Sequence, residues 1–501
     1  MIGRLCANGS GNTAGAGLDE MHLTLGEWAW ATGGEIMAGE PSSPVGGDGP
    51  GGLAIDTRRI ERGQWFISLK GASGRDGHGY LRQAVEGGAC GMIVSDREAY
   101  ESQVLPISPD LPALLVRDTT RALGDAARAM LDKFSPFVVA ITGTVGKTSV
   151  KENIAHIASV RWPTLKNPHN WNTEIGLPLP VFELGKEHRV AVLECASRGP
   201  GQIRELSLIA RPHLGVITAV GPGHLSEFGT IDQVARGKWE IADGLRETGV
   251  IVAPGESPYT QELGAECPVV TFGMSSANAV HPIGVALDET ETRCTIATPH
   301  GAISTTIPGS SRADLMNALC ATAAGQQIGV DTDDGTESLT LEEIAEALRS
   351  LPSIPGRCEI IVRPSGIEVI FDAYNSNPLS LANALDALGS RTRLSDGSPL
   401  GRRVAILGDM LELGDEAERY HREAGRRVAE LPIECLITVG ELARLIRHAA
   451  EQRRGEPIDG DHYPNAEACA EALPHWLRAG DIALIKASRG IALEQLLEGE
   501  W

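Results

Sequence analysis

The chain has 501 residues, 42% hydrophobic and 22% charged, which is a globular composition, and its length favours about two to four domains over one core. It carries 66 acidic and 44 basic residues, a formal charge of −22, without a local basic cluster, which argues against nucleic-acid binding. No apolar run reaches the roughly 18 to 20 residues of a bilayer span, so we expect no membrane insertion.

The N-terminal segment differs from the rest of the chain in composition and in hydrophobic patterning. Residues 1–20 are Gly-rich and unpatterned, and we expect a disordered extension there. A periodic pattern opens at Met21, which we consider as a candidate translation start; mass spectrometry of a native chain that retains Met1 would exclude it. The segment lacks a secretion or import pattern, so we expect a cytoplasmic protein. The nine cysteines contain no C-x-x-C pair and fit reduced thiols.

Three α/β domains are predicted in chain order. Residues 21–115 combine strand-like "QWFISLKG" and "GACGMIVSD" with helix-like "GYLRQAVEGG", which indicates a small α/β domain. Residues 116–351 alternate the buried-type strands "FVVAITG", "VAVLEC" and "LGVITAV" with helices, the pattern of a parallel sheet.

The third predicted domain follows the proline-rich break "PSIPGR" and spans residues 352–501. Its strand candidates are "EVIFDAY", "RRVAILGDM", "ECLITVG" and "DIALIKASR". The segments "VDTDDGTES" and "LSDGSPLGRR" are interpreted as exposed polar loops.

A phosphate-binding loop is predicted in "VVAITGTVGKTSVKE", residues 138–152. Gly143 and Gly146 allow a tight turn that points backbone N–H groups at an anion, and Lys147 adds a positive charge. Thr148 or Ser149 can place a hydroxyl on Mg²⁺, and the following helix contributes its positive end. The spacing G-x-x-x-x-G-K-[ST] is not met, because position 141 holds Ile141.

Later strand ends supply candidate metal ligands. Glu194 ends "VAVLEC" and His224 follows "LGVITAVGPG"; the carboxyl ends of parallel strands meet at one edge, so both could converge on the phosphates. Taken alone, each is more often a surface acid or a loop histidine. Lys238 lies in a helical segment, where periodicity favours a solvated residue.

Several motifs in order along the chain resemble the Mur ligase family of ATP-dependent amide-forming enzymes. They are "DTRRIERGQWFISLKGASGRDGH", "GTVGKTS", "NPHNWNTEIGLPLPV", "GHLSEFGTIDQVARGKWEI", "GRCEI", "DAYNSNPLS", "LGDMLELG" and "IKASRGIALEQLLE". The family loop G-T-x-G-K-T accounts for Ile141. "DTRR", "NWNT" and "ECASRG" depart from the commoner family forms, and the D-N-P-R motif of the diaminopimelate-adding relative is absent.

The resemblance implies a UDP-substrate domain, a central P-loop ATPase domain and a C-terminal Rossmann-like domain. It implies ATP contacts at Gly143, Thr144, Gly146, Lys147, Thr148, Ser149, Asn317, Arg357 and Asp372. It implies catalytic roles for Lys147, Glu194, His224 and Lys238, with Mg²⁺ held by Thr148, Glu194, His224 and a carbamylated Lys238. It implies substrate contacts at Thr57, Arg58, Asp76, His78, Asn170, Asn172, Thr173, Tyr374, Asn375 and Asn377.

The implied reaction forms a peptide bond between UDP-N-acetylmuramoyl-tripeptide and D-alanyl-D-alanine through an acyl phosphate, in peptidoglycan synthesis, by a cytoplasmic monomer. One alternative is another Mur-type or folylpolyglutamate synthetase-like ligase that acts on a different carboxylate; the early UDP-side motif argues against the folate enzyme. The other alternative is a non-catalytic nucleotide-binding switch.

Overall fold

The computed structural model describes residues 22–46, 52–71, 74–168, 170–499 and 501, and the predicted extension at residues 1–20, with Met21, lies outside them. The chain divides into two compact units. The first holds the described residues up to Ser135 and the segment Glu174–His188, and the second holds Pro136–Thr173 and Arg189–Trp501. Within the described residues, no helix has the length and apolar character needed to cross a membrane.

The first unit is built on a five-stranded sheet in the order β1-β5-β4-β3-β2, in which only β1 runs antiparallel to its neighbour. Its buried core includes Phe66, Leu81, Met92 and Tyr100. The elements are β1 (Glu35–Ala38), β2 (Leu53–Ala54), β3 (Trp65–Ile67), β4 (Gly91–Val94), β5 (Ala113–Leu115), α1 (Leu25–Thr32), α2 (Leu81–Glu86), α3 (Arg97–Gln103) and α4 (Thr119–Phe134).

Helix α4 extends the first unit beyond residue 115, where we predicted a domain boundary. The helix buries one apolar side, including Leu123, Met130 and Leu131, and packs on α1 and on the one-turn helix Pro178–Val181. Trp28 of α1 stacks on Phe182, with ring centroids 5.4 Å apart. The compact unit therefore runs to Ser135, and the boundaries at 115 and 351 stay predictions.

A six-stranded parallel sheet forms the centre of the second unit, in the order β11-β10-β9-β6-β8-β7. Since β6 lies between β8 and β9, the carboxyl ends of these three strands are neighbours. The elements are β6 (Phe137–Thr142), β7 (Thr164–Lys166), β8 (Val190–Glu194), β9 (Leu214–Ile217), β10 (Val250–Pro254), β11 (Val269–Phe272), α5 (Lys147–Ser159), α6 (Gln202–Ala210), α7 (Ile231–Trp239), α8 (Pro258–Leu263) and the one-turn helix Leu225–Phe228.

An antiparallel region that we did not predict follows this sheet. It consists of a three-stranded sheet, β12 (His281–Leu287), β13 (Glu291–Thr298) and β14 (Gly301–Pro308), and a hairpin, β15 (Gly329–Thr332) and β16 (Gly335–Ser338), with helices α9 (Arg312–Gly325) and α10 (Leu341–Arg349). The prediction of a loop at "VDTDDGTES" was wrong: its acidic pair forms a two-residue turn before Gly335, whose φ is 121°, and turns of this kind join hairpin strands.

The last sheet has the order β17-β18-β22-β19-β20-β21 and is parallel except for β17. Helices on both faces make it a doubly wound Rossmann-like sheet, as predicted. Its elements are β17 (Glu359–Val362), β18 (Glu368–Phe371), β19 (Arg403–Gly408), β20 (Cys435–Val439), β21 (His462–Tyr463), β22 (Ile482–Lys486), α11 (Pro378–Ser390), α12 (Ala417–Glu430), α13 (Arg444–Arg454) and α14 (Ala466–Trp476).

Candidate active site

The predicted phosphate loop joins the end of β6 to the start of α5. Its two glycines have φ angles of 145° (Gly143) and 84° (Gly146), which L side chains rarely adopt. A Cβ at Gly143 would overlap Thr218 Oγ1, and one at Gly146 would lie 2.7 Å from Asn317 Oδ1. No side chain caps the first turn of α5, so its backbone N–H groups are left for another acceptor, as in an anion site.

Residues after β9 hold the loop in place. Thr144 N donates to Ala219 O at 2.8 Å, and Thr144 Oγ1 donates to Gly221 O at 3.1 Å. Thr218 Oγ1 donates to Val145 O at 2.5 Å. Thr218 was not singled out from the sequence, because a threonine at a strand end carries no signal of its own.

Lys147 points back over the loop. Its Nζ donates to Gly143 O at 2.8 Å and to Thr144 O at 3.4 Å. Burial lowers the pKa of Lys147, the charge of Glu194 opposes that shift, and the charge of Arg357 adds to it. A partly desolvated ammonium held only by carbonyl oxygens favours an incoming anion.

The two hydroxyl candidates differ in their surroundings. Thr148 Oγ1 accepts a 3.4 Å hydrogen bond from Arg357 Nη2, so a residue that follows the central domain in the sequence reaches the start of α5. Ser149 is half-buried one position further along the helix.

Glu194 ends β8 and is 2% exposed. Its Oε1 accepts a hydrogen bond from Asn172 Nδ2 at 2.8 Å, while its Oε2 is buried and has no hydrogen-bond partner in the described part of the chain. Asn167 fixes the strand end, since it accepts from Glu194 N at 2.8 Å and donates to Glu194 O at 3.1 Å. A buried carboxylate oxygen without a partner fits a hard divalent cation, for which carboxylate oxygen is a preferred ligand.

His224 lies before the one-turn helix Leu225–Phe228 with a φ of 52°. Its buried Nδ1 lies 2.6 Å from Glu412 Oε2, at a geometry that does not make a hydrogen bond. Burial lowers the pKa of His224, and the charge of Glu412 partly opposes this, while Lys147 and Lys238 add to it. The imidazole is therefore favoured in its neutral form, the form that binds metals.

Lys238 lies on α7 and is 2% exposed, so the interpretation of a solvated helix residue was wrong. Its Nζ donates to Ser197 Oγ at 2.8 Å and lies 5.4 Å from the centroid of the Phe228 ring. Burial, reinforced by the charge of Lys147, lowers the pKa of Lys238 to about 7. The sequence pattern misled because α7 turns Lys238 inward, toward Ser197 in the segment after β8 and toward the Phe228 ring.

The three central substrate candidates, Asn170, Asn172 and Thr173, lie in the segment that follows β7. Asn172 contacts Glu194 as described, and Asn172 O accepts from Ala196 N at 2.9 Å. Asn170 and Thr173 are exposed, and Asn170 O accepts from Asn172 N at 2.9 Å. Asn172 therefore supports the Glu194 carboxylate, and the other two residues are more exposed than it is.

Two arginines of the third predicted domain, one of them a nucleotide candidate, lie close to the ring of Tyr374. Arg357 Cζ lies 4.2 Å and Arg489 Cζ 5.6 Å from its centroid. Asp372 Oδ2 accepts a 2.6 Å bond from the buried Lys486 Nζ, which also donates to Asn375 O at 2.9 Å. Lys486 and Arg489 were quoted within a motif but not singled out, because a strand-end lysine is not distinctive by itself.

The remaining candidates of the second unit are three asparagines: Asn317 on α9, and Asn375 and Asn377 in the loop before α11. Asn317 lies on α9, close to Gly146. Asn377 caps α11 by accepting from Ser380 N at 2.9 Å, and Asn375 accepts from Ser376 N at 2.8 Å. The side-chain oxygens of Asn375 and Asn377 therefore accept hydrogen bonds from the backbone of their own loop, and that of Asn377 caps the helix.

The four UDP-side candidates lie in the first unit and form a separate group. Arg58 donates to Asp56, and Thr57 Oγ1 donates to Gln83 Oε1 at 2.9 Å. The pKa of Asp56 is lowered to about 2 by the hydrogen bonds from Arg58. The side chains of Thr57, Arg58 and Asp76 are at least partly exposed.

His78, in contrast, is buried with both ring nitrogens engaged. Its Nε2 accepts from Ser95 N at 2.9 Å and lies 2.9 Å from Ser68 Oγ, which places the proton on Nδ1, 2.6 Å from Asp76 Oδ1. The ring therefore supports the loop that carries Asp76, and direct contact of His78 with a ligand is not favoured by this geometry.

Two family models match the chain. Residues 141–325 match the Mur ligase middle domain, and residues 356–489 match the Mur ligase glutamate ligase domain. The UDP-N-acetylmuramoyl-tripeptide--D-alanyl-D-alanine ligase of Bacillus subtilis is 34% identical over 448 residues, which cover 89% of this chain and 92% of the relative.

The chain is also similar to solved structures of Mur ligases. MurF from Acinetobacter baumannii superposes with a TM-score of 0.82 at 27% identity, covering 95% of this chain and 98% of the other. The Thermotoga maritima MurF ligase in complex with ADP gives 0.74 at 25% identity, covering 89% and 96%. Escherichia coli FolC in complex with ADP gives 0.54 at 17% identity, covering 75% and 92%, a likeness of fold alone.

Proposed function

Since the chain belongs to the Mur ligase family, we propose that it is the ATP-dependent peptide ligase that adds D-alanyl-D-alanine to UDP-N-acetylmuramoyl-tripeptide in peptidoglycan synthesis. The observation that carries this function is the likeness to the Bacillus subtilis enzyme of that name over 92% of its length. The phosphate loop with Lys147, and Glu194, His224 and Lys238 around it, supply the chemistry that such a reaction needs.

In the first step, Lys147 and the uncapped start of α5 hold the terminal phosphates of ATP. The peptide carboxylate of the substrate attacks the γ-phosphorus, the bond to the ADP oxygen breaks, and an acyl phosphate forms. The positive charge of Lys147 offsets the repulsion between two anionic reactants. Arg357, which reaches Thr148 at the start of the same helix, would bind phosphate oxygens from the other side.

In the second step, the amine of D-alanyl-D-alanine attacks the acyl carbon. A tetrahedral intermediate forms and expels inorganic phosphate, and the amine loses a proton. Asn170 and Thr173 are the central candidates for substrate contacts, because they are exposed and lie next in the chain to Asn172, which supports Glu194. Tyr374, Asn375 and Asn377 are the candidates from the third predicted domain, and Thr57, Arg58 and Asp76 those for the UDP moiety.

We assign magnesium to Thr148, Glu194, His224 and Lys238. The unpartnered Oε2 of Glu194 suits a hard divalent cation, which prefers oxygen, and the neutral imidazole favoured for His224 has a nitrogen lone pair available for a metal ion. When bound, magnesium would neutralise phosphate charge and so supply electrostatic stabilisation of phosphoryl transfer. Thr148 would contribute its hydroxyl, and Ser149 is the weaker candidate for that role.

Lys238 would contribute only as a carbamate, since an ammonium repels a cation. A pKa of about 7 leaves a large neutral fraction, and a neutral amine adds to CO₂ with loss of one proton. Ser197 Oγ, now 2.8 Å from Nζ, would then face the modified nitrogen. Mass spectrometry of the intact protein at high bicarbonate, or a crystal structure with continuous density beyond Nζ, would test this; a bare amine at saturating CO₂ and magnesium would refute it.

We further propose a cytoplasmic monomer. The cytoplasmic location is expected because the proposed substrates, a UDP-linked peptide and ATP, are cytoplasmic compounds. The monomer is expected because a formal charge of −22 opposes self-association. Sedimentation at low and physiological salt would reveal a dimer if this is wrong.

The deciding experiment is phosphate release from ATP with each substrate present or omitted. We expect release that requires UDP-N-acetylmuramoyl-tripeptide and D-alanyl-D-alanine together, with formation of the corresponding pentapeptide product. Release with a different amine or carboxylate would indicate another Mur-type or folylpolyglutamate synthetase-like ligase. Nucleotide binding without release under any of these conditions would indicate a switch.

A further inference from the structure

The contact between His224 and Glu412 joins two segments that match different family models. His224 lies in the range of the middle domain and Glu412 in that of the glutamate ligase domain. The Nδ1 of His224 and Oε2 of Glu412 are 2.6 Å apart. One of the proposed magnesium ligands is therefore contacted by a carboxylate that is 188 residues further along the chain, by the difference 412 − 224.

Both partners adopt a backbone conformation that is unusual for them. In the described residues, only six non-glycine residues have positive φ, and His224 (52°) and Glu412 (63°) are two of these. Non-glycine residues in the left-handed region are strained, and such strain persists where the surrounding structure requires it. That two of the six contact each other indicates that both backbones are bent to bring these side chains together.

The loop that carries Glu412 is fixed at several points. Ser226 N donates to Glu412 O at 3.3 Å, next to the one-turn helix that His224 begins. Leu411 N donates to Ser488 Oγ at 2.9 Å, and Ser488 N donates to Asp409 O at 3.0 Å, which ties the loop to the end of β22. The backbone of Glu412 is therefore held in place, while its side chain is 45% exposed and makes its contact with His224 from the edge of the site.

The chemistry of imidazole gives this contact a consequence. The negative charge of a carboxylate 2.6 Å from Nδ1 favours the tautomer protonated on that nitrogen, even though the contact is not aligned as a hydrogen bond, and this tautomer leaves Nε2 with a lone pair for a metal ion. Groups of this second layer are as characteristic of metal sites as the ligands themselves, and their removal typically lowers metal affinity about 10- to 100-fold.

We propose that Glu412 is a positioning residue that orients the His224 imidazole for the metal side of the phosphate site, so that the third predicted domain helps to build a site of the central one. The proposal rests on the proposed function for its metal, since His224 is a magnesium ligand only in that context. Glu412 itself touches neither substrate nor nucleotide in this scheme.

The test measures metal binding apart from ligation. Mn²⁺, as a probe for Mg²⁺, is titrated by electron paramagnetic resonance into the full-length protein with ADP present. We expect E412Q, which keeps the shape and removes the charge, to weaken Mn²⁺ binding by about tenfold. The control E418Q, an exposed glutamate of α12 that pairs with Arg422, should bind Mn²⁺ as the wild type does.

A double-mutant cycle separates positioning from a general structural effect. If Glu412 acts through His224, E412Q should have little further effect in an H224A background. Equal Mn²⁺ affinity of E412Q and wild type, or an E412Q effect that adds in full to that of H224A, would overturn the proposal. E412D, which restores the carboxylate on a shorter side chain, should recover part of the affinity, and thermal unfolding of each variant checks that it is folded.

The two proposals fail in different ways. If the wild type binds Mn²⁺ with ADP but ligates no D-alanyl-D-alanine, the proposed function fails while the Glu412 cycle is still measured. If the wild type ligates and E412Q leaves both Mn²⁺ affinity and the magnesium concentration for half-maximal activity unchanged, only the positioning role fails.

Discussion

The phosphate site of the second unit and the UDP-side motif of the first unit differ in whether their polar side chains already have partners within the protein. In the first unit, Arg58 is paired with Asp56, and both nitrogens of His78 are engaged. In the second, Glu194 Oε2 is buried and has no hydrogen-bond partner among the described residues. Lys147 meets carbonyl oxygens instead of an anion.

This difference has an energetic meaning. Buried polar groups without partners destabilise a fold, so a protein keeps them where a ligand supplies the missing interactions. Self-paired groups at the surface have no such requirement and can be rearranged at little cost. The second unit therefore holds a preorganised electrostatic site, whereas the first holds a recognition surface that must exchange its internal pairs for ligand contacts.

The largest effect is expected for Lys147→Ala. Removing the ammonium from the phosphate loop should lower kcat for ligation by about 10³-fold, since a single preorganised electrostatic group contributes on this scale. The measurement is phosphate release at saturating substrates. The control is Lys166→Ala, an exposed lysine that pairs with Glu152 and should leave kcat nearly unchanged. Near-normal ligation by Lys147→Ala would remove the assignment of the phosphate site.

The next effect concerns stability. Lys238 has a folded-state pKa of about 7 against an ordinary 10.5, so the unfolded state binds an additional proton between these values and wild-type stability rises with pH across that window. Below pH 7 the buried ammonium destabilises the fold in full. Lys238→Met should therefore raise the free energy of unfolding by on the order of 4 kcal/mol at pH 6 and by less at pH 9.

Urea unfolding without metal, nucleotide or added bicarbonate measures this change, and the exposed Lys166→Met serves as the control. The same variant should lose ligase activity, because it removes the amine that becomes the carbamate. An equal change in stability at both pH values would show that Lys238 is not a desolvated amine.

The pattern of the chain was sufficient for the parallel strands and for the phosphate loop. Strands β6, β8 and β9 are continuous apolar runs, and the glycine turn before Lys147 follows β6 directly. Strand β12 was missed because exposed Ile283 and Leu287 interrupt the alternation that identifies a strand, and β13 and β14 were missed although their burial alternates, because much of their sequence is threonine, serine and alanine. The hairpin at residues 330–338 was missed because its strands are polar.

Pairing between distant residues is what the sequence did not reveal. Glu412 and Lys486 are ordinary charged residues until the fold places them beside His224 and Asp372. Lys238 on its helix and His78 in its motif gave no indication of their burial. Site residues next to glycine turns and strand ends were predictable, whereas their supports from other elements depended on tertiary structure.

His78→Ala is a test of the self-paired character of the first unit. Loss of the ring leaves Ser95 N and the Asp76 carboxylate without their buried partner, so the free energy of unfolding should fall by about 1–3 kcal/mol. At saturating substrate, kcat should change little. The control is His448→Ala, an exposed histidine of α13. Unchanged stability together with a higher KM for the UDP substrate would instead make His78 a direct contact.

Arg58→Ala should have the smallest effect on folding and a selective one on binding. The Arg58 side chain is 77% exposed, and surface ion pairs contribute little to stability, so unfolding should resemble that of the wild type. If Arg58 leaves Asp56 to bind an anionic group of the UDP moiety, the KM for that substrate should rise about tenfold, as expected for one charge-assisted hydrogen bond, while kcat and the KM for ATP stay unchanged. The exposed Arg121→Ala, which breaks a comparable pair with Asp125 in the same unit, should leave all three constants unchanged. A fall in kcat without a change in KM would mean that Arg58 acts in the chemical step, and the contrast between a recognition surface and an electrostatic site would no longer hold.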